Sequence, residues 1–156
     1  MSTQDQMGRR AALTVLGAAG AVSVCGIQGC GDDGSGSALP TAATDVGAVS
    51  DFTAPVFKLL NTNLIVGRDN MGFFALSAIC PHEQCVVRFR NPASDGSSTD
   101  GSTSCPCHAS RFTAEGAVVS GPSPGPLRPL GVRITNGRVF VDPSITGVTT
   151  ATRTMA

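Results

Sequence analysis

Residues 80–85 read CPHEQC and residues 105–112 read CPCHASRF, and these two short stretches decide how the rest of the chain must fold. Both histidines of the protein lie in them, together with four of its six cysteines. Each stretch places a cysteine one or two residues from a histidine. Thiolates and imidazoles together form a ligand set that suits zinc or iron–sulfur chemistry. The two stretches therefore predict one metal centre built from two loops.

The number of cysteines separates the kinds of metal centre. The pairs Cys80 with His82 and Cys105 with His108 supply four ligands and leave two cysteines over. A structural zinc site is one alternative, but it has no use for two further cysteines placed symmetrically beside it. A thiol–disulfide exchange centre at residues 105–107 is another, although its motif is Cys-x-Cys and no βαβ pattern surrounds it.

The double motif resembles that of the Rieske iron–sulfur proteins, in which two cysteines hold one iron of a [2Fe–2S] cluster and two histidines hold the other. The resemblance implies a [2Fe–2S] cofactor. The ligands that it implies are Cys80 and Cys105 for one iron, and His82 and His108 for the other. It also implies that Cys85 and Cys107 form the disulfide that ties the two cluster-binding loops together in this family.

Other residues match the family pattern or depart from it. Ser110 stands where the family's serine donates a hydrogen bond to a cluster sulfur, and residues 121–127, GPSPGPL, resemble the proline-rich loop that covers the cluster. Ala109 replaces a frequent glycine. Phe112 replaces the tyrosine of high-potential members, which is expected to lower the reduction potential. Residues 94–104, SDGSSTDGSTS, resemble an insertion between the two motifs.

Composition limits the fold and the partners. Lys plus Arg and Asp plus Glu are equal at 11 each, so the chain has no basic footprint for nucleic acid and we expect no such partner. It contains 19 Gly and 10 Pro, and its short apolar segments are broken by turn residues. We therefore predict an all-β protein, and the resemblance implies a Rieske-like antiparallel β-sandwich with a small cluster-binding subdomain of two loops.

The first 30 residues have the pattern of a targeting segment. Arg9 and Arg10 precede an uncharged run from Ala11 to Ile27, which is typical of a twin-arginine export signal. The same run is close to the lower length limit of a membrane span, so a retained anchor is the alternative to a cleaved signal. Residues 27–30, IQGC, also resemble a lipoprotein processing site, in which Cys30 would become lipidated.

The remaining chain divides into three predicted parts. Residues 31–50, rich in Gly, Ser, Ala, Thr and Asp, are predicted to be a flexible linker, 51–143 the folded domain, and 144–156 a tail without a strong pattern. Strands are predicted at 56–60, 63–68, 73–79, 86–89, 111–112, 117–120, 130–135 and 138–141. Asn136-Gly137 predicts a type I′ hairpin turn.

The resemblance implies an electron-transfer subunit rather than an enzyme on its own. We expect it to act in a cytochrome bc-type complex, to take an electron from quinol beside cytochrome b and to pass it to a c-type cytochrome. The alternatives are the small subunit of an exported molybdenum oxidase, paired with a large molybdopterin subunit, and a lipid-tethered electron carrier. In each case we expect an exported protein on the periplasmic side of the membrane, because disulfides persist in oxidising compartments. It would be membrane-associated through an uncleaved N-terminal segment or lipid, or soluble after cleavage.

Overall fold

The computed structural model describes residues 38–156, and nearly every regular element in this part of the chain is a β-strand. The strands are β1 (Thr44–Ala48), β2 (Val56–Leu59), β3 (Leu64–Asp69), β4 (Gly72–Ser77), β5 (Arg88–Phe89), β6 (Thr103–Ser104), β7 (Arg111–Phe112), β8 (Val118–Ser120), β9 (Pro129–Thr135) and β10 (Arg138–Asp142). A short 3-10 helix, Val49–Asp51, follows β1. Between residues 38 and 156, no helix has the length and hydropathy needed to cross a membrane. The predicted all-β class is confirmed.

The fold consists of two antiparallel sheets, and the cysteine motifs adjoin the smaller one. The larger has six strands in the order β1-β10-β9-β4-β3-β2, and the smaller has four in the order β5-β6-β7-β8. The first cysteine motif lies between β4 and β5, and the second lies between β6 and β7. The small sheet is therefore the cluster-binding subdomain that the sequence predicts.

Strands β3 and β4 are buried on both faces of the large sheet, which explains their nearly continuous apolar sequences. Because successive side chains in a strand point to opposite faces, their residues alternate between two cores. Ile65 and Phe74 belong to the core that the cluster-binding subdomain shares, whereas Val66 and Phe73 belong to the core on the other face. Both cores depend on these two strands, so the strand that leads into Cys80 is held from both sides.

Turn chemistry sets the register of the hairpins. Strands β9 and β10 are joined at Asn136 and Gly137, whose φ angles are 51° and 71°. These are the left-handed angles that a type I′ turn requires, and Thr135 pairs with Arg138 directly across it. The predicted Asn-Gly hairpin is confirmed.

The ordered sheet begins before residue 51, so the predicted linker of residues 31–50 is wrong for its last part. Strand β1 pairs with β10 from Thr44 to Ala48, and Arg138 donates to the two carboxylate oxygens of Asp45 at 2.6 and 2.9 Å. The segment TDVGA has one large apolar residue, Val46, which packs against the core of the large sheet, and this is too weak a pattern to predict a strand. The segment becomes a strand because the edge of β10 offers it backbone partners.

The tail of residues 144–156 also contains ordered contacts that its composition does not predict. Phe73 and Thr154 exchange two backbone hydrogen bonds of 2.9 and 2.8 Å, which extends the sheet beside β4. Arg153 forms a 2.6 Å salt bridge with Asp69 and stacks over the Phe74 ring at 4.0 Å. The guanidinium therefore contacts both strands of the β3–β4 hairpin and fixes the tail against it.

Several predictions concern residues outside the described part of the chain. These are the export signal or anchor of residues 1–30, the lipidation of Cys30 and the first residues of the linker. They stay predictions.

The polar insertion of residues 94–104 is ordered by side-chain hydrogen bonds. Asp100 accepts bonds from the Asn91 side chain at 2.8 Å, from the Ser102 N–H at 2.9 Å, and from the hydroxyls of Ser98 and Ser102, both at 3.0 Å. Ser98 in turn exchanges two backbone bonds with Phe57 on β2. The insertion thus covers an edge of the large sheet, and one carboxylate holds it in shape.

The Asp100 carboxylate makes the insertion sensitive to acid. Its bonds, that from Asn91 first, lower the pKa of Asp100 from 3.8 to about 2. A lowered pKa means that the stabilisation is present above pH 3.8 and is lost as the pH falls toward 2. We expect Asp100→Asn to lower stability at pH 6 by less than about 1 kcal/mol, because the group is exposed to solvent. Thermal unfolding followed by circular dichroism should show this difference shrinking between pH 6 and pH 3.

Asp95→Asn is the matched control for this prediction. The Asp95 side chain accepts hydrogen bonds only from the backbone and side chain of Ser97, so its loss should have the smaller effect. An effect of Asp100→Asn that is the same at pH 3 as at pH 6 would contradict the assignment of the stabilisation to the charged carboxylate.

Candidate metal centre

The first loop is a hairpin that is closed by the strand pair on either side of it. Strand β4 runs toward Cys80, an isolated antiparallel bridge joins Ile79 to Val86, and the Val87 N–H donates to the Ala78 carbonyl at 2.7 Å. The second loop is closed in the same manner, since Ser104 on β6 pairs with Arg111 on β7. Both loops are therefore presented by β-strands, which fix their ends.

The two loops have the same backbone hydrogen-bond pattern. In the first, the Gln84 N–H donates to the Cys80 carbonyl at 3.0 Å and the Cys80 N–H donates to the Cys85 carbonyl at 2.9 Å. In the second, the equivalent bonds join Ala109 to Cys105 at 3.1 Å and Cys105 to Ser110 at 2.7 Å. The repeat places the two cysteines that open the loops in equivalent positions.

Each loop turns through a residue with a left-handed backbone. Gln84 has φ of 57° and Ala109 has φ of 59°, a region that costs a residue with a side chain about 1 to 2 kcal/mol relative to the right-handed one. Ala109 stands where the family pattern often has glycine, so the backbone adopts the glycine conformation although the side chain is alanine. Sequence reasoning identified Ala109 but missed Gln84. Aligning CPHEQC with CPCHAS, which sets Gln84 opposite Ala109, would have found it.

A disulfide between Cys85 and Cys107 joins the loops, as the family resemblance implied. The two residues are 22 apart in sequence and their Cα atoms are 6.6 Å apart. The sulfur of Cys105 lies within 4.8 Å of both disulfide sulfurs. Because Cys85 and Cys107 are bonded to each other, they cannot serve as thiolate ligands, and this group of three sulfurs is not itself a metal site. The disulfide instead packs against one of the predicted ligands.

The four predicted ligands are brought together by these loops. Cys80 and Cys105 are free and buried, with exposed fractions of 0% and 3%. The rings of His82 and His108 face each other edge to face, with centroids 4.8 Å apart. The Nδ1 atom of His82 is buried and has no hydrogen-bond partner among residues 38–156. A buried nitrogen lone pair without a donor is costly unless it binds a metal.

The surroundings of Cys80 favour the neutral thiol unless a metal is bound. Burial raises the pKa of the Cys80 thiol, and the neighbouring Cys105 thiol acts in the same direction. Contributions from the His82 backbone and from the Ser110 hydroxyl act in the opposite direction and lower the pKa. A metal cation is the partner that lets two adjacent buried thiols both exist as thiolates. The donor set of two thiols and two imidazoles thus fits a [2Fe–2S] cluster with mixed ligands.

The proline-rich segment of residues 121–127 lies directly against the second loop. A Cβ atom added to Gly121 would come within 2.5 Å of the Ser110 Cα, so only glycine permits this approach. The Ser123 N–H donates to the Ser110 Oγ at 3.1 Å, and the Ser123 hydroxyl closes the segment on itself through the Gly125 carbonyl at 2.8 Å. Ser123 was missed from sequence because nothing distinguishes it there from any other turn serine.

Phe112 follows the second motif and is buried in the core that the two sheets share, with an exposed fraction of 1%. Its neighbours in this core include both free cysteines, Cys80 and Cys105. Phe112 therefore lies in the core that contains the two predicted cysteine ligands. A tyrosine at this position would bring a hydroxyl group into that core.

The comparisons with known proteins identify the class. The family model of the Rieske [2Fe-2S] domain matches residues 42–134, which is more than half of the chain. The protein therefore belongs to the Rieske [2Fe–2S] family, and its cofactor is a [2Fe–2S] cluster. The structure and the family match agree with each other and with the motif.

Curated proteins that are similar to this chain include iron–sulfur subunits of cytochrome b6-f complexes. The chain is 32% identical over 99 residues to the cytochrome b6-f complex iron–sulfur subunit of Chlorobaculum tepidum, covering 62% of this chain and 51% of the relative. It is 41% identical over 81 residues to the subunit of the same name from Synechococcus, covering 51% of this chain and 42% of the relative. The chain thus spans about half the length, or less, of these curated relatives.

Among solved structures, the chain is similar to the quaternary ammonium Rieske monooxygenase CntA in complex with L-carnitine. The TM-score is 0.53 at 17% identity, and the match covers 70% of this chain and 34% of the monooxygenase. At this identity the likeness shows a shared fold only.

The left-handed residues of the loops yield a stability prediction. Ala109→Gly removes the cost of a Cβ at positive φ but adds chain entropy to the unfolded state, so we expect a gain of about 1 kcal/mol or less. Gln84→Gly should behave similarly. Thermal unfolding of the cluster-loaded protein should show the increase as a rise of a few degrees.

Ala117→Gly is the matched control, because Ala117 is exposed and is not among the described residues with positive φ. There the same change should lower stability by about 0.5 to 1 kcal/mol. If Ala109→Gly destabilises as much as the control does, the backbone at residue 109 is not left-handed in the folded protein.

Proposed function

We propose that this protein is an electron-transfer subunit of a cytochrome bc-type complex. Its cluster would be held by Cys80 and Cys105 on one iron and by His82 and His108 on the other. The observation that carries the proposal is the buried His82 Nδ1, which has no partner among the described residues. It belongs to a ring in contact with that of His108, on loops whose first cysteines, Cys80 and Cys105, are free and buried. When bound, the cluster supplies a centre that accepts and releases one electron at a higher potential than an all-cysteine cluster.

The two histidines differ in their access to solvent. His108 is exposed, whereas His82 is only partly exposed. The outer edge of the His108 ring is therefore the group that a quinol hydroxyl can reach. An imidazole bound to a metal exchanges a proton as the charge of the metal changes, so His108 can couple proton release from quinol to electron transfer.

The proposed partners follow from this chemistry and from the relatives. The relatives named above are subunits of cytochrome b6-f complexes, and we infer a cytochrome b beside the quinol site and a c-type cytochrome as acceptor. The disulfide supports export to the periplasmic side of the membrane, because disulfides persist in oxidising compartments. The twin-arginine pattern and the run of residues 11–27 support export with membrane attachment, through a retained anchor or through lipid at Cys30.

An electron paramagnetic resonance spectrum of the full chain tests the proposal. We expect a rhombic [2Fe–2S] signal to appear after addition of ascorbate, a mild reductant, because histidine ligands raise the potential above that of an all-cysteine cluster. Replacing His82 or His108 by alanine should abolish this signal. A rhombic signal that appears only with dithionite would contradict the quinol-oxidising role, and an iron-free protein that binds zinc would contradict the cluster itself.

Ser110 provides a finer test of the site. Its hydroxyl interacts with the Cys80 sulfur and is fully buried. A hydrogen bond to a charged acceptor is worth about 1.5 to 3 kcal/mol, and the reduced cluster is the more negative form. Because the bond is present in both oxidation states, only the part of its energy that is gained on reduction shifts the potential. We therefore expect Ser110→Ala to lower the reduction potential by less than about 130 mV, which corresponds to about 3 kcal/mol for one electron. Redox titration followed by the cluster's absorbance measures it.

Ser104→Ala is the control for this titration. Ser104 directly precedes the ligand Cys105, but it lies on the strand face opposite to the buried Thr103 and makes no side-chain hydrogen bond among the described residues. Its removal should leave the potential unchanged. Equal shifts in both variants would assign the effect to a general change in the loop rather than to the Ser110 hydroxyl.

A further inference from the structure

The outer face of the cluster-binding sheet carries a row of arginines and serines. In the register of its four strands, Arg88 is paired with Ser104, Ser104 with Arg111, and Arg111 with Ser120. Residues paired across antiparallel strands lie on the same face. The opposite row, Phe89, Thr103 and Phe112, is buried. The arginine row is therefore the solvent face of the sheet, and Arg88 and Arg111 stand two strands apart, about 10 Å.

The arginines of this face have no partners within the described structure. Arg88, Arg90 and Arg111 are exposed, and none of them forms a salt bridge or a side-chain hydrogen bond with another residue between 38 and 156. The basic residues of the large sheet and tail differ. Arg133, Arg138 and Arg153 are each paired with an aspartate. Arg128, which directly precedes β9, is exposed and also lacks such a partner. What distinguishes Arg88, Arg90 and Arg111 is therefore that three unpaired arginines lie beside the cluster loops.

The arginine face is close to the proposed ligands. Arg111 is three residues after His108, and Ser104 directly precedes Cys105. Three extended residues span at most about 10 Å. A molecule bound to this face would therefore lie beside the cluster, where an electron acceptor is useful.

We propose that the face formed by Arg88, Arg90 and Arg111, with the serines between them, is the docking surface for a redox partner protein whose own surface is acidic. This inference rests on the proposed electron-transfer function and specifies the charge of the acceptor. Guanidinium groups bind carboxylates through two parallel hydrogen bonds, which favours a fixed orientation of the partner. Such a surface also accelerates encounter with an oppositely charged protein.

An anionic membrane is the alternative partner for this face. The residue types of the face favour a protein partner instead. An anionic membrane attracts basic side chains through their charge and does not distinguish how they are arranged. A protein surface that itself binds a membrane commonly adds apolar side chains that enter the lipid. The row itself contains only arginine and serine. A protein partner with arranged carboxylates uses the same charges with higher specificity.

Stopped-flow electron transfer tests the proposal. The reduced, cluster-loaded full chain is mixed with an acidic c-type cytochrome or with a basic one, at low and at high ionic strength. We expect the acidic cytochrome to react faster at low salt, and the rate to fall as salt screens the charges. Arg88→Gln and Arg111→Gln should each slow this reaction about 3-fold, and together about 10-fold, with little effect on the basic cytochrome.

Arg133→Gln is the matched control, since it removes the same charge from an exposed, weakly paired position on the large sheet. Arg133→Gln should lower the rate of electron transfer to the acidic cytochrome by less than Arg88→Gln or Arg111→Gln does. An unchanged cluster signal and thermal stability in each variant establish that the fold and the centre are intact.

Other outcomes overturn the proposal. If the rate with the acidic cytochrome is the same in the double variant as in the natural protein, the arginine face does not guide this partner. If instead the natural protein sediments with phosphatidylglycerol vesicles and the double variant does not, at unchanged cytochrome rates, the face binds an anionic membrane. If neither cytochrome oxidises the reduced protein at any salt concentration, the proposed electron-transfer function is wrong. The docking proposal, which rests on that function, is then wrong as well.

Discussion

The site depends on one covalent constraint, the disulfide between Cys85 and Cys107. Each loop is a hairpin turn that ends in a strand, and on its own it could present one cysteine and one histidine at most. The disulfide closes a segment of 22 residues and fixes the two hairpins beside each other. By loop entropy this is worth about 3 kcal/mol against the unfolded chain. Because the insertion lies inside the closed segment, its two ends are fixed as well, and its length can vary without moving the ligands.

The central strands could be predicted from sequence because burial dictates their composition. Residues of β3 and β4 alternate between two cores, and the Asn136-Gly137 turn requires angles that few other residue pairs adopt. The outer parts could not be predicted in this way. Strand β1 and the Thr154 segment gain their structure from backbone edges supplied by other strands. The insertion gains much of its order from hydrogen bonds to carboxylates, to Asp100 above all, and hydropathy carries no signal for them.

The candidate ligands could be proposed from sequence for a different reason, which is the rarity of their chemistry. Cysteine and histidine at these spacings have few structural explanations, so the motif alone pointed to the site. What it did not show was the repeat in the backbone, in which Gln84 and Ala109 both adopt left-handed angles. The arginine face could not be predicted either, because the pairing of three strands, each only two residues long, is needed to place Arg88 and Arg111 in one row. Spacing in sequence does not reveal spacing across a sheet.

Ser110 links the position of the proline-rich segment to the electronic environment of the centre. A serine hydroxyl has one proton to donate and two lone pairs to accept with. One lone pair is occupied by the Ser123 N–H, so the proton is left for an acceptor on the side of Cys80. A bond that polarises the hydroxyl oxygen strengthens the bond that its proton makes. Movement of the segment away from Ser110 would therefore weaken the donor that we propose for the reduced state. Gly121, which alone permits the close approach, is as necessary to this coupling as the serine itself.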